Sequence, residues 1–224
     1  MGKIDEFEQR IVQQGMTDDD FAEYEKLLKR VRGNFSKRQH CYTTAIQFPS
    51  QYAKQAIKLI QYGLDTFEDD WFSTYTSYLH MGHIYEGISN YQKAFDAYLL
   101  AKDVLGSDHP KYVEELSKDL MWMKLHVDSF RYSEELEEHL SCYKKTSDFS
   151  KALVNTEFKI AIVNIVISLH HGRLDEAKQF LEKARGICNP NYVGKLHSIL
   201  AKHNYNESIR TTPEAIAFIQ QLKL

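Results

Sequence analysis

The chain has 224 residues, of which 43% are hydrophobic, and a net charge of -3 at pH 7. This composition excludes a disordered or collagen-like chain, and the negative net charge is not that of a basic nucleic-acid-binding domain. No apolar run approaches the roughly 20 residues that span a bilayer, and the N-terminus lacks a signal peptide's apolar core. The three cysteines are far apart, which suits a reducing compartment. We therefore expect a cytoplasmic protein that binds neither membrane nor nucleic acid.

The N-terminal region is predicted to be helical, with clear start and stop signals. Apolar residues at helical spacing mark the first helix: Ile4, Phe7 and Ile11. Gly15 is suited to end that helix, because glycine is favoured just beyond a helix C-terminus. Thr17 with Asp20 resembles the capping box that begins a second helix. Two more helices are predicted at about residues 38–47 and 51–67.

The stretch 75–110 is predicted to form two helices folded back on each other. Residues at helical spacing give the first helix one stripe: Tyr78, Met81, Gly82 and Tyr85. Glycine, serine and asparagine at 87–90 favour a turn. The second helix carries an apolar face: Tyr91, Ala94, Phe95, Tyr98, Ala101 and Leu105. The small residues on both helices predict a close helix–helix contact, with aromatic rings filling the remaining space.

This stretch resembles the tetratricopeptide repeat family. Five residues match the family pattern: Gly82, Tyr85, Ala94, Tyr98 and Ala101. The segment LGSDHP at 105–110 is similar to the longer repeat linker of the kinesin-light-chain-like subclass. A second match to the family's second helix lies at 172–184, with Ala177, Leu181 and Ala184 at the corresponding positions.

The C-terminal half is predicted to continue with helices. They are placed after Pro110, at about 133–145, at 158–169, at 191–203 and from Pro213 onward. The helix at 158–169 is apolar nearly all round, so we expect it to be covered by neighbours on every side.

Together these patterns predict an all-α fold. The openings of successive second helices recur about every forty residues, which is typical of an α-solenoid. We predict a right-handed solenoid of about 10–12 helices in antiparallel pairs, forming a single domain over 1–224. It comprises an N-terminal helical pair or cap at 1–33, repeats at 34–205 and a C-terminal capping helix at 206–224.

No motif in the sequence indicates catalysis. There is no phosphate-binding glycine loop, no G-x-S-x-G motif and no recognisable nucleophilic cysteine. We therefore predict no enzyme activity and no cofactor. His80, His83 and Glu86 have helical ligand spacing and offer a metalloprotein as an alternative, although the H-E-x-x-H arrangement is absent.

The family resemblance implies a groove lined by the first helix of each pair. It assigns seven residues to that groove as contacts for a partner: Thr76, Leu79, His83, Glu86, Lys118, Met121 and Lys159. The predicted function is a non-catalytic, regulatory module that binds another protein or a peptide. Solenoid ends and grooves also pair with other copies, which leaves a homodimer open.

Two further alternatives remain for the function. The irregular pairs of about forty residues resemble the sensing domains of bacterial Rap-type peptide-pheromone regulators in architecture. A local basic cluster offers a nucleic-acid-binding surface: Lys26, Lys29, Arg30, Arg32, Lys37 and Arg38.

Overall fold

The computed structural model describes residues 2–68, 70–144, 154–188 and 213–222. Within these ranges the regular structure is helical and contains no strand, which confirms the all-α prediction. The chain divides into two compact units, Met1–Tyr112 and Val113–Leu224. No helix among the described residues has both the length and the apolar character required to cross a membrane.

The first unit contains six α-helices and one 3₁₀ turn. These are α1 (Lys3–Gln14), α2 (Asp18–Leu28), α3 (Asn34–Ala45), the 3₁₀ turn (Ser50–Tyr52), α4 (Ala53–Thr66), α5 (Trp71–Gly87) and α6 (Tyr91–Leu105). The predicted elements are present with shifted ends. Helix α3 begins earlier than predicted because Gly33, with a φ of 78°, turns the chain immediately before it.

The second unit contains most of α7 and the helices that follow. These are α7 (Pro110–Val127), α8 (Glu134–Lys144), α9 (Val154–His170), α10 (Leu174–Ile187) and α11 (Pro213–Gln221). The helix predicted at 191–203 lies outside the described residues. In α9, residues 161–168 are all buried, as expected for a helix that is apolar nearly all round.

Consecutive helices pack against each other as pairs. The contacts join α1 with α2, α3 with α4, α5 with α6, and α9 with α10. Helix α5 also packs against α3 and α4, and α1 touches α3. The core of the first unit draws buried side chains from all six of its helices, and Tyr24, Leu28, Leu59 and Ile60 are fully buried in it. Burial of each such side chain contributes roughly 1.5–3 kcal/mol.

The residues that carry the family resemblance are helix-packing residues. Ala94, Tyr98 and Ala101 of α6 are fully buried. A Cβ atom on Gly82 of α5 would lie 2.7 Å from Cζ of Tyr98, so only glycine allows this close approach. The corresponding side chains of α10, Ala177, Leu181 and Ala184, are also buried.

The linker between α6 and α7 is anchored to the start of α5 by aromatic rings. The chain turns at Gly106, which has a φ of 53°. The imidazole of His109 then stacks on the indole of Trp71 with ring centroids 3.6 Å apart. The ring of Tyr112 contacts Trp71 at 5.4 Å and Tyr75 at 5.6 Å. The LGSDHP segment is thus held by contacts of its histidine.

The N-terminus of α2 is capped by reciprocal hydrogen bonds between Thr17 and Asp20. The backbone N–H of Asp20 donates to Oγ1 of Thr17 at 3.1 Å, and the backbone N–H of Thr17 donates to Oδ2 of Asp20 at 2.9 Å. We expect Thr17→Ala to lower the free energy of unfolding by about 1 kcal/mol, because it leaves a helix N–H without its acceptor. Urea unfolding followed by circular dichroism measures this loss. Thr17→Ser keeps the acceptor and should retain most of the stability; equal losses in both variants would contradict the capping role.

Candidate functional site

The four predicted site residues of α5 lie along one side of that helix. His83 is exposed, whereas Thr76, Leu79 and Glu86 are half-buried. The hydroxyl of Thr76 donates to the carbonyl of Phe72 in its own helix at 2.7 Å. The carboxylate of Glu86 accepts a hydrogen bond from the hydroxyl of Tyr98 at 3.2 Å, which connects it to the α5–α6 contact. His83 is therefore the exposed residue of this stripe.

Helix α3 lies beside α5 and is fixed to it by two contacts. The rings of Tyr42 on α3 and His80 on α5 have centroids 5.6 Å apart. The guanidinium of Arg38 donates to Oγ1 of Thr74 at 2.6 Å and also to the carbonyl of Phe67. These contacts place the two helices side by side in the first unit.

The contacts of Arg38 bear on the basic cluster found in the sequence. Its side chain is only 4% exposed, because it supplies hydrogen bonds inside the fold. Lys37 is half-buried, with its ammonium 5.4 Å from the centroid of the Phe67 ring. The exposed part of the cluster is thus limited to Lys26, Lys29, Arg30 and Arg32. Arg38 is not available to a phosphate backbone.

An accessible surface extends over α3 next to the α5 stripe. Gln39 and Ile46 lie one turn to either side of Tyr42, just as Thr76 and His83 lie one turn to either side of His80. Since Tyr42 and His80 touch, the exposed sides of the two helices adjoin. We call this surface the α3–α5 face; it consists of Phe35, Gln39, Thr43 and Ile46 of α3 with Thr76, Leu79 and His83 of α5.

The α3–α5 face combines exposed apolar groups with an absence of acidic and basic residues. Phe35 is 40% exposed and Ile46 is 45% exposed. None of its seven residues is Asp, Glu, Lys or Arg, in a chain where 26% of residues are of these types; Glu86, the next residue of the α5 stripe, is bonded to Tyr98. Its polar groups are an amide, hydroxyls and the imidazole of His83. Such a surface suits an apolar or uncharged polar partner better than a highly charged one.

The predicted site residues of the second unit are placed differently. Met121 is fully buried, so it packs in the core of its unit and is not accessible to a partner. Lys159 pairs with Asp119 at 3.6 Å, and its ammonium lies 5.5 Å from the centroid of the Trp122 ring. Lys118 is half-buried. Met121 lies in the core because α7 is buried around most of its circumference.

The metal ligands proposed from the sequence do not converge. His80 packs on Tyr42, and burial, with a smaller effect of the His83 charge, lowers the pKa of His80 to about 4. His83 is exposed and Glu86 is engaged by Tyr98. Among the described residues, these three side chains do not bring their ligand atoms within reach of one ion.

A different cluster of ligand-type groups lies between α1 and α3. Asp5, Glu8 and His40 have ligand atoms that all lie within 4.8 Å of one another. Oε1 of Glu8 is 2.8 Å from Nδ1 of His40 and accepts a hydrogen bond from the hydroxyl of Tyr24 at 2.5 Å. The hydrogen bond to Glu8 raises the pKa of His40 above its ordinary value, against the effect of burial. For Tyr24, burial raises the pKa of the hydroxyl. The hydroxyl therefore stays protonated and donates its hydrogen bond to Glu8.

Sequence reasoning missed this cluster because His40 is 32 residues from Glu8 along the chain. Asp5 and Glu8 share a helix face at a spacing of three, but nothing in that pattern indicates which histidine faces them. The contact of α1 with α3 supplies that information.

The one fully buried thiol is not suited to nucleophilic chemistry. Burial raises the pKa of Cys41 to about 12, so it stays protonated near neutral pH. Its Cβ lies against Gly63 of α4, which indicates a packing role. Cys142 and Cys188 are half-buried, and neither forms a disulfide.

Comparison of the chain with protein-family models, curated proteins and solved structures finds no match. The function must therefore be inferred from the α3–α5 face and from the cluster of Asp5, Glu8 and His40.

Proposed function

We propose that this protein is a non-catalytic interaction module that binds a segment of another protein through the α3–α5 face. The observation that carries the proposal is the uncharged character of this face together with its exposed Phe35 and Ile46. The cores of protein interfaces are depleted in charged residues and contain exposed apolar side chains that become buried on binding.

The order of the helices supports a groove on this side. Glu8 and His40 link α1 to α3, and Tyr42 and His80 link α3 to α5. The first helices of three successive pairs are thus neighbours, as in a tetratricopeptide-like solenoid, where they line the concave surface. We extend this arrangement to a right-handed solenoid of antiparallel pairs, with the α3–α5 face as part of its groove.

The chemistry of the face defines the class of partner. Phe35, Ile46 and Leu79 offer apolar contacts, while Gln39 and His83 offer hydrogen bonds to a backbone or to polar side chains. An extended or helical segment with apolar anchors at every third or fourth residue fits this pattern. A regulatory peptide of the pheromone type is the alternative ligand, and it would occupy the same face.

The test compares variants on this face with a matched exposed position elsewhere. We expect the double variant Ile46→Glu/Leu79→Glu to lose a specific companion that the wild-type protein captures from native lysate, with at least a tenfold loss of affinity for that companion. The physical reason is that a carboxylate placed in an apolar contact must be desolvated without a partner. Mass spectrometry of both the protein and the peptide fractions identifies the companion.

Leu100→Glu is the matched control, because Leu100 is 46% exposed on α6 and does not belong to the α3–α5 face. It should bind like the wild type. Equal capture by all three proteins would show that the companion uses another surface and would contradict the proposal. Circular dichroism of each variant excludes unfolding as the cause of a loss.

A further inference from the structure

We propose that Asp5, Glu8 and His40 form a binding site for one divalent transition-metal ion, which clips α1 to α3. This site is separate from the α3–α5 face and does not depend on the function proposed for it. It supplies two carboxylate ligands from one helix and an imidazole ligand from another.

The spacing of the ligands fits a metal ion. Their ligand atoms lie within 4.8 Å of one another, and Glu8 and His40 already approach to 2.8 Å. Zinc bonds to nitrogen and oxygen ligands measure about 2.0–2.2 Å, so tetrahedral ligands stand roughly 3.4 Å apart. Small side-chain rotations that separate Glu8 from His40 and draw in Asp5 give this arrangement.

The donor set selects the class of ion. An imidazole nitrogen with two carboxylate oxygens suits Zn²⁺, Co²⁺ or Ni²⁺, whereas Mg²⁺ and Ca²⁺ prefer oxygen ligands only. Three protein ligands leave at least one position for water. We assign the site a stabilising role, because an ion held by Asp5 and Glu8 of α1 and His40 of α3 joins these two helices.

Both carboxylates are held by groups outside the ligand set. The buried Tyr24 donates its hydroxyl proton to Oε1 of Glu8 at 2.5 Å. The backbone N–H of Gly2 donates to Oδ2 of Asp5 at 2.8 Å. Hydrogen bonds of this kind orient metal ligands and tune their basicity.

Burial distinguishes this cluster from ordinary surface acidic groups. The side chain of Glu8 is 16% exposed and that of His40 is 26% exposed. Asp5 is half-buried beside them. An ion placed here is partly shielded from water, so its attraction to the carboxylates is stronger than on an open surface.

The experiment uses the full chain with its purification tag removed and metal stripped by a chelator. We expect equilibrium dialysis to find one Co²⁺ per chain, with visible absorption bands from the bound ion. Zn²⁺ should displace Co²⁺ and should stabilise the first unit. At a free Zn²⁺ concentration of 100 times its dissociation constant, the unfolding equilibrium constant falls about 100-fold.

Two variants test the assignment. His40→Gln should abolish the Co²⁺ bands and the Zn²⁺-dependent stabilisation, whereas His83→Gln, which removes an exposed histidine, should leave both unchanged. If His40→Gln does not fold, Asp5→Asn decides, since the asparagine oxygen still accepts from Gly2 while the charged ligand is lost. Absence of Co²⁺ binding by the wild type, or unchanged binding in the foldable variant, overturns the proposal.

These outcomes are distinguishable from failure of the proposed function. Metal stoichiometry and stability do not involve a partner, and the α3–α5 variants leave all three ligands in place.

Discussion

Gly82→Ala is expected to lower the free energy of unfolding by about 3 kcal/mol, the upper end of the usual cost of overpacking a core. The new Cβ atom would lie 2.7 Å from Cζ of Tyr98 and closer still to two other ring atoms. The ring cannot move aside easily, because Tyr98 is fully buried and its hydroxyl is bonded to Glu86. The α5–α6 contact must therefore open. Urea unfolding followed by circular dichroism measures the loss.

Gly87→Ala provides a matched control in the same helix. A Cβ atom at Gly87 meets nothing within 4 Å, so this variant should be neutral or gain up to about 1 kcal/mol from helix propensity. The double variant Gly82→Ala/Tyr98→Leu replaces the ring by a smaller side chain, and we expect its Gly82→Ala step to cost less than in the wild type. An unchanged unfolding midpoint for Gly82→Ala alone would show that the two helices do not approach closely.

Protonation of one histidine in each unit is expected to destabilise that unit by about 3 kcal/mol between pH 6.5 and pH 4. Burial is the main cause that lowers the pKa of His80 in the first unit and of His126 in the second unit to about 4. In the unfolded chain a histidine titrates near 6.5, so within this window the unfolded state binds more protons than the folded state. Stability is therefore present above pH 6.5 and is lost as the pH falls towards 4.

Variants that cannot take up a proton should weaken this pH dependence. We expect His80→Gln and His126→Gln each to reduce the slope of unfolding free energy against pH in its own unit. Trp122, whose ring centroid is 4.7 Å from that of His126, reports the unfolding of the second unit by fluorescence. Parallel curves for all three proteins would show that these two histidines do not govern acid unfolding.

The sequence by itself determined the helices and the residues at their closest contacts. The start of α2 follows from Thr17 and Asp20, because a cap is made by residues three apart in the chain. Gly82 and Ala94 were likewise predictable as residues of a close helix–helix contact, since two helices joined by a short turn bring fixed sequence positions together. The positions of small residues and the apolar period of the helix carried this information.

Only the tertiary structure decided which side chains remain accessible. Met121 and Arg38 carry no local signal that separates a core position from a surface one. Met121 is covered because α7 is buried on most sides, and Arg38 is buried because Thr74 and Phe67 supply acceptors to its guanidinium. Periodicity shows that a helix has a buried face, but it does not show how many neighbours cover the remaining sides.

The two candidate surfaces also arise from contacts between distant segments. The α3–α5 face exists because Tyr42 meets His80, and the proposed metal site exists because His40 faces Glu8 across α1 and α3. Local free energies place each residue on a helix and on one side of it. Which helix packs against which depends on the packing of all the apolar faces at once. The helices could therefore be predicted from the sequence, whereas the residues that meet in these two sites were visible only in the structure.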